Sequence, residues 1–297
     1  MLFRITHTTS YLYRTPVTYC LNEIHLTPRQ LAGQEVRQVD IRVQPEPAFL
    51  HRRMDYFGNE VTSFEVLEKH GDLEIAAESL VDVAPSSLEP APSISWDDAR
   101  RLIEAQADDD CIAASEFIYS SPYVPSDPQL YDYARTSFVT GRPLLEAVRD
   151  LTHRIHTDFK YRPQSTSIDV PLTDVMRNRR GVCQDFAHVM IGALRSQRLA
   201  ARYVSGYVRP GPNVQGAQAS HAWVSVFIPG TGAGSGPGIG WTSFDPTNDV
   251  IVSDSHVTLA WGRDYGDVTP VKGISLGGGG QSVKVEVYLK PVPENSC

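Results

Sequence analysis

The sequence predicts an α+β protein: an all-β N-terminal domain, then a second domain whose helices come first and whose antiparallel strands follow. Three observations predict it. Apolar and polar residues alternate through much of residues 1–84. The Pro- and Ser-rich stretch APSSLEPAPS (84–93) interrupts that pattern. Beyond it the apolar period becomes helical, and strand-like runs return only after the long segment that begins at Cys183. The expected organisation is a β domain over 1–84, a linker over 85–94, and a second domain over 95–297.

The elements follow in order. MLFRITHTTSYLYRTPV reads as a strand; it lacks the basic and apolar regions of a signal peptide. Val39, Ile41 and Val43 alternate with Asp40 and Arg42, the period of a half-buried strand. In MDYFGNEVTSFEV, Gly58-Asn59 separates two strand-like runs and signals a hairpin. Leu73, Ile75 and Ala77 alternate again, then Val81 and Val83. Together these describe a sandwich or curled sheet.

After the linker, Ser95 caps a helix from Trp96, with Asp98 three residues on. Asp127-Pro128 places a cap before a proline at the first helical position. Pro143 opens a third helix with Leu144, Leu145, Val148, Leu151 and Ile155 as its apolar stripe. PLTDVMRNRRG reads as a short helix stopped by Gly181. Strand-like runs follow at 201–208, 220–228, 240–245 and 281–290. PGTGAGSGPGIG (229–240) and SLGGGGQS (275–282) read as flexible loops, and no internal repeat is present.

Bulk properties narrow the function classes. A chain of 297 residues with 41% apolar residues fits two cored domains. The net charge of −8, with no run of Lys or Arg long enough for such a footprint, sets aside nucleic acid and anionic membranes as partners. No apolar run nears the roughly 18 residues of a membrane span, so a soluble cytoplasmic protein is expected. The four cysteines, Cys20, Cys111, Cys183 and Cys297, contain no Cys-x-x-Cys pair, which argues against structural zinc.

One stretch raises a chemical question. In RNRRGVCQDFAHVMIGALRSQ, Cys183, Phe186, Val189, Met190, Ala193 and Leu194 share one helical face. Cys183 then stands in the first turn, where free N–H groups and the helix dipole favour a thiolate and can hold an oxyanion. The alternative is a small buried hydrophobe. In SHAWVSVFIP, Ala222, Val224, Val226 and Ile228 form one strand face, and His221 and Trp223 lie on the other. In WTSFDPTND, Asp245 ends a strand just before Pro246. Taken singly, His221 is an ordinary strand histidine and Asp245 a turn residue. Taken together, a helix-top Cys, a strand His and an Asp on the next strand have the order and types of a nucleophilic triad.

These blocks, GVCQDFAHVMIGALRSQRLAARYVSGYV, SHAWVSVFIP and WTSFDPTND, resemble the transglutaminase-like superfamily, which includes bacterial candidate cysteine proteases. The likeness runs from about residue 145 to 250. LTPR (26–29) and DYFGNEV (55–61) are similar to the β domain that precedes this core in bacterial members. The resemblance implies a papain-like core with Cys183 as nucleophile, His221 as base and then acid, and Asp245 orienting the imidazole. It offers Tyr161, in FKYRP, as an oxyanion candidate. Asp185 is a helix-cap or cleft candidate, Trp223 a shield for the imidazole, His188 a structural residue, and Asp249 a spare carboxylate in a turn. Mammalian transglutaminases use calcium; no DxDxDG loop occurs here, so neither metal nor cofactor is expected.

The implied chemistry is acyl transfer on an amide, peptide or isopeptide bond through a thioester. With water as acceptor the enzyme is a protease or amidase, the favoured reading. With an amine it is a transglutaminase. A non-catalytic scaffold that binds peptides or a partner is the third possibility. Arg177, Arg179, Arg180 and Arg202 are candidates for a local binding patch, or for solvated helix ends.

Overall fold

A 23-residue strand, β1 (Leu2–Ile24), opens the chain and forms the axis of a seven-stranded sheet. The computed structural model describes residues 1–85, 94–163, 170–217, 219–230 and 240–293. The strands β2 (Gln34–Gln44), β3 (Phe49–Met54), β4 (Glu60–Val66) and β5 (His70–Val83) follow. β5 pairs with the first half of β1 and β4 with the second, giving the order β2-β5-β1-β4-β3. The period-2 pattern sets the faces: Leu73, Ile75, Ala77, Val81 and Val83 are all buried. Gly58, at φ 72°, turns the β3–β4 hairpin as its sequence signals.

The helical stretch begins with α1 (Trp96–Glu104), capped by the Ser95 hydroxyl accepting the Asp98 N–H, and α2 (Asp109–Ser115), capped by Asp108. In α3 (Pro128–Ala134), Asp127 caps and Pro128 takes the first helical position. Pro143 precedes α4 (Leu144–Asp158), whose stripe of Leu144, Val148, Leu151 and Ile155 is fully buried. A short strand β6 (Lys160–Tyr161), α5 (Leu172–Asn178) and β7 (Arg180–Gly181) lead into α6 (Cys183–Ser196). β6 and β7 pair in parallel, with Tyr161 opposite Gly181.

The second sheet contains β8 (Ala201–Val208), β9 (His221–Ile228), β10 (Gly240–Asp245), β11 (Val250–Ile251) and β12 (His256–Gly262), in the order β11-β10-β9-β8-β12. All its pairings are antiparallel. Ala222, Val224, Val226 and Ile228 share one core with Phe186, Val189, Met190 and Ala193 of α6. α6 is buried on nearly every side, which places its N-terminus inside the molecule rather than on its surface.

Two readings of the sequence are corrected here. The strand expected at 281–290 in the second domain, β14 (Gln281–Pro291), and a strand the sequence reading did not predict, β13 (Val271–Gly277), pair with β1 and complete the first sheet. The glycine run of SLGGGGQS is accordingly a break within one edge of that sheet rather than a free loop. Gly277 to Gly280 all have positive φ and face the kink in β1, where Arg14 and Thr15 N–H groups bond Gly280 and Gly278 carbonyls. The second correction concerns α5, which ends at Arg179 in the left-handed conformation (φ 50°, ψ 43°), not at Gly181. Residues 86–93 of the expected linker, 231–239 of the first glycine-rich stretch, and Cys297 lie outside the described residues.

The two sheets meet through side-chain amides. β12 is an edge strand, and Gln34 and Asn59 bond its outer edge as a further strand would. Gln34 Nε2 donates to the Thr258 carbonyl at 2.8 Å, and its Oε1 accepts the Thr258 N–H at 2.7 Å. Asn59 does the same for Trp261, at 2.9 and 3.0 Å. Among the described residues no helix is long and apolar enough to cross a membrane.

Candidate active site

Cys183 is the first residue of α6, and the residues before it explain how it is held. Val182, in extended conformation, precedes the helix, and Asp185 accepts its N–H through Oδ2 at 2.8 Å. Asp185 is thus the helix cap, buried beneath the turn. Gly181 is there for space: a Cβ on it would lie 2.5 Å from Asp185 Oδ2. The extended segment 180–182 is steadied by the β6–β7 pairing, which brings Tyr161 to the same turn.

His221 is the first residue of β9, and Asp245 is the last of the neighbouring β10. Antiparallel pairing of these strands brings both ends to one side of the sheet. His221 Nε2 and Asp245 Oδ2 lie 2.7 Å apart, both side chains wholly buried. The carboxylate can only accept, so Nε2 carries the proton. His221 Nδ1 has no hydrogen-bond partner, and Cys183 is near enough to the ring to help raise its pKa. Of the three, Cys183 is the most open, at 8% against 1% for His221 and 0% for Asp245.

The electrostatics reinforce the geometry. Burial pulls the His221 pKa down, but the Asp245 charge and hydrogen bond, with help from Cys183, hold it at about 10. Burial likewise pushes Asp245 up, yet the charge and hydrogen bond of His221, with His256, keep it well below the usual carboxylate range. Five donors surround this carboxylate. Oδ1 accepts the N–H groups of Thr247 and Asn248, at 2.9 and 3.2 Å. Oδ2 accepts from His221, from Asn248 Nδ2 at 2.7 Å and from His256 Nε2 at 3.2 Å.

His256 and Asn248 escaped the sequence reading. The signal for His256 was present: SHVTLAWG repeats the Ser-His start of SHAWVSV at the head of another apolar strand. Its Nδ1 lies 3.0 Å from the Ser255 hydroxyl, which satisfies the second ring nitrogen. Trp223 packs against both imidazoles, with ring centroids 6.1 Å from His221 and 5.2 Å from His256. His221, Asp245 and His256 also bring three possible metal-ligand atoms within 4.8 Å of one another. Here both imidazoles use the shared carboxylate oxygen as their hydrogen-bond acceptor.

The remaining candidates divide clearly. The Tyr161 ring meets Phe186 edge-on. Burial, then the charges of Cys183 and Asp245, push its phenol up to about 12, so it stays a donor at neutral pH. His188 is buried, its pKa drawn down to about 3, and its Nε2 accepts the Tyr265 N–H. Asp249 sits at φ 54° in a turn and pairs with His153 at 2.7 Å, apart from His221. The four arginines do not form one patch. Arg177 pairs with Asp174, Arg179 lies over Tyr133 and Phe159, and Arg202 lies over Trp241 and Trp261.

Comparison with known proteins agrees with this arrangement of elements. The family profile of the bacterial transglutaminase-like N-terminal region matches residues 3–82, and that of the transglutaminase-like superfamily matches residues 132–246. An uncharacterized protein of Mycobacterium bovis is 37% identical over 98% of this chain and 92% of its own length. Another, of Mycobacterium leprae, is 34% identical over 96% and 97%. The crystal structure of a candidate cysteine protease from Cytophaga hutchinsonii covers 100% of this chain and 92% of that one, with a TM-score of 0.75 and 21% identity. That likeness establishes a shared fold.

Proposed function

Since the chain belongs to the transglutaminase-like superfamily and has the N-terminal region of its bacterial members, we propose that it is a cysteine-dependent acyl-transfer enzyme acting on peptide or other amide bonds. One observation carries the proposal: a buried carboxylate holds one nitrogen of the His221 imidazole at 2.7 Å, and Cys183, at the start of α6, is near enough to that ring to help raise its pKa.

In this reading His221 and Cys183 exist as an imidazolium–thiolate pair, favoured by Asp245 behind the ring and by the N-terminus of α6 beneath the sulfur. The sulfur attacks the amide carbonyl carbon, a C–S bond forms, and the carbonyl oxygen becomes an oxyanion. Free N–H groups at the start of α6 and the Tyr161 hydroxyl are the donors we assign to it. His221 then gives its proton to the leaving amine, the C–N bond breaks, and a thioester remains. Water attacks the thioester while His221 takes up its proton, the C–S bond breaks, and the acid is released with the imidazolium–thiolate pair restored. Hydrolysis is the favoured outcome; an amine in place of water would make the product a new amide.

The test uses a glutamine-containing peptide, with and without a primary amine, read by mass spectrometry. Cleavage or deamidation indicates hydrolysis, and a mass gain equal to the amine less ammonia indicates transfer. Cys183→Ala should abolish either product. Iodoacetamide should label Cys183 ahead of Cys20 and Cys111, whose thiols burial holds protonated, Cys111 up to about 12. Equal labelling of the three, or full activity in Cys183→Ala, would sink the proposal.

A further inference from the structure

At the other end of the second sheet, two arginines and two tryptophans stack. Arg29 and Arg202 lie 3.5 and 3.7 Å from the Trp261 ring centre, and Arg202 lies 4.2 Å from that of Trp241. Arg29 is anchored by hydrogen bonds to Asn59 Oδ1 and the Phe57 carbonyl. Arg202 is not anchored in this way. Its Nε is buried without a partner, and among the described residues no carboxylate pairs with it. Burial, then the charge of Arg29, draws its pKa down to about 9, as expected for a cation without a counter-ion. The aromatic faces stabilise the guanidinium from above and below. They leave its buried Nε without an acceptor, and a buried polar donor without a partner is unfavourable.

Arg202 also lines an open cavity of about 510 Å³, together with Tyr56, Phe57, Phe117, Trp241 and Trp261. Small-molecule sites typically span roughly 300–1,000 Å³. Glu116 also lines the cavity, and its carboxylate raises the pKa of the neighbouring Tyr56. The wall is therefore mainly aromatic, with one planar cation, Arg202, and one carboxylate, Glu116, and among the described residues no carboxylate pairs with Arg202. A carboxylate has the flat two-oxygen shape that matches a guanidinium edge, and the rings suit an apolar group beside it.

We propose that this cavity is a binding site for a carboxylate borne on an aromatic or bulky apolar group, with Arg202 holding the carboxylate. Either the last residue of a peptide chain or a small aryl acid has this chemistry. The site is separate from the thiol: Arg202 pairs with Ser225, four residues along β9 from His221, which is about 13 Å at the strand rise. It stands whether or not Cys183 is a nucleophile.

The test titrates the full chain with phenylacetate, N-acetyl-Ala-Phe and N-acetyl-Ala-Phe amide, followed by tryptophan fluorescence and calorimetry. At least one acid should bind 10-fold or more tightly than the uncharged amide. Arg202→Met should weaken that acid by 10-fold or more, with Arg202→Lys between the two. Binding of phenylacetate alone assigns the site to small acids; binding of the peptide acid assigns it to chain termini. Acid and amide binding alike, no binding of either acid, or full acid binding in Arg202→Met overturns the proposal. Should Arg202→Met fail to fold, the acid-to-amide comparison on the unmodified chain decides.

Discussion

At the scale of single residues, Asp245 is the pivot of the candidate site. It is fully buried and remains ionised because five donors replace its water. His256 supplies one of them, so it acts on the imidazole of His221 through the carboxylate between them. A hydrogen bond to a charged group contributes about 1.5 kcal/mol or more. His256→Gln should therefore lower kcat about tenfold with KM little changed. An unchanged kcat would assign His256 to packing alone. The His221 proton gives a second prediction. Its pKa is raised from the ordinary value to about 10. The stabilisation it contributes is then complete below the unfolded value of about 6.5 and lost as pH rises through the folded value. Activity should follow the same proton, with the alkaline limb of kcat/KM near pH 10. Asp245→Asn should move that limb toward neutrality and depress the rate. A limb near neutrality in the unmodified chain would contradict the imidazolium assignment.

At the scale of elements, the first turn of α6 has a specific construction. Asp185 caps it from below, Gly181 leaves room for that carboxylate, and the Tyr161–Gly181 pairing fixes the approach. Asp185→Ala should cost about 0.5–2 kcal/mol of stability, the usual range for a lost cap. It should also reduce turnover, because the turn it holds presents the neighbouring free N–H groups assigned to the oxyanion; melting curves and kcat measured together separate the two effects. The head of β9 is equally crowded. Gly216, at φ 81°, approaches so closely that a Cβ would lie 2.5 Å from His221 Nδ1. Gly216→Ala should displace the ring from the thiol, cutting iodoacetamide reactivity at Cys183 with little loss of secondary structure by circular dichroism. Unaltered labelling would show that the ring has room to yield.

At the scale of the molecule, the chain closes on itself. β1 has β4 and β5 on one side and β13 and β14 on the other, so both ends of the sequence build the first sheet. The second sheet, with His221 and Asp245, is enclosed between these segments in sequence and bonded to the first through Gln34 and Asn59. Removing residues 271–297 should strip one side of β1 and leave a chain that aggregates or fails to melt cooperatively. A soluble, cooperatively folded truncation would show that β4 and β5 suffice to hold β1. Asn59→Ala should destabilise by about 1–3 kcal/mol, because it leaves buried edge groups of β12 without partners.

The alternations at 39–43 and 73–83, the caps at Ser95 and Asp127, and the Cys183 helix were legible in the sequence because local spacing and local hydrogen bonds determine them. The order of Cys183, His221 and Asp245 was legible for the same reason: each stands at the end of a recognisable element. What depended on tertiary structure was everything set by pairing between distant segments. That includes the return of β13 and β14 to β1, and His256 reaching Asp245 from the far edge strand. It also includes Arg202, read as one of four surface cations but stacked between two indoles. Periodicity records which face of a strand is buried; it does not record which strand lies beside it, because that choice belongs to the packing of the whole chain.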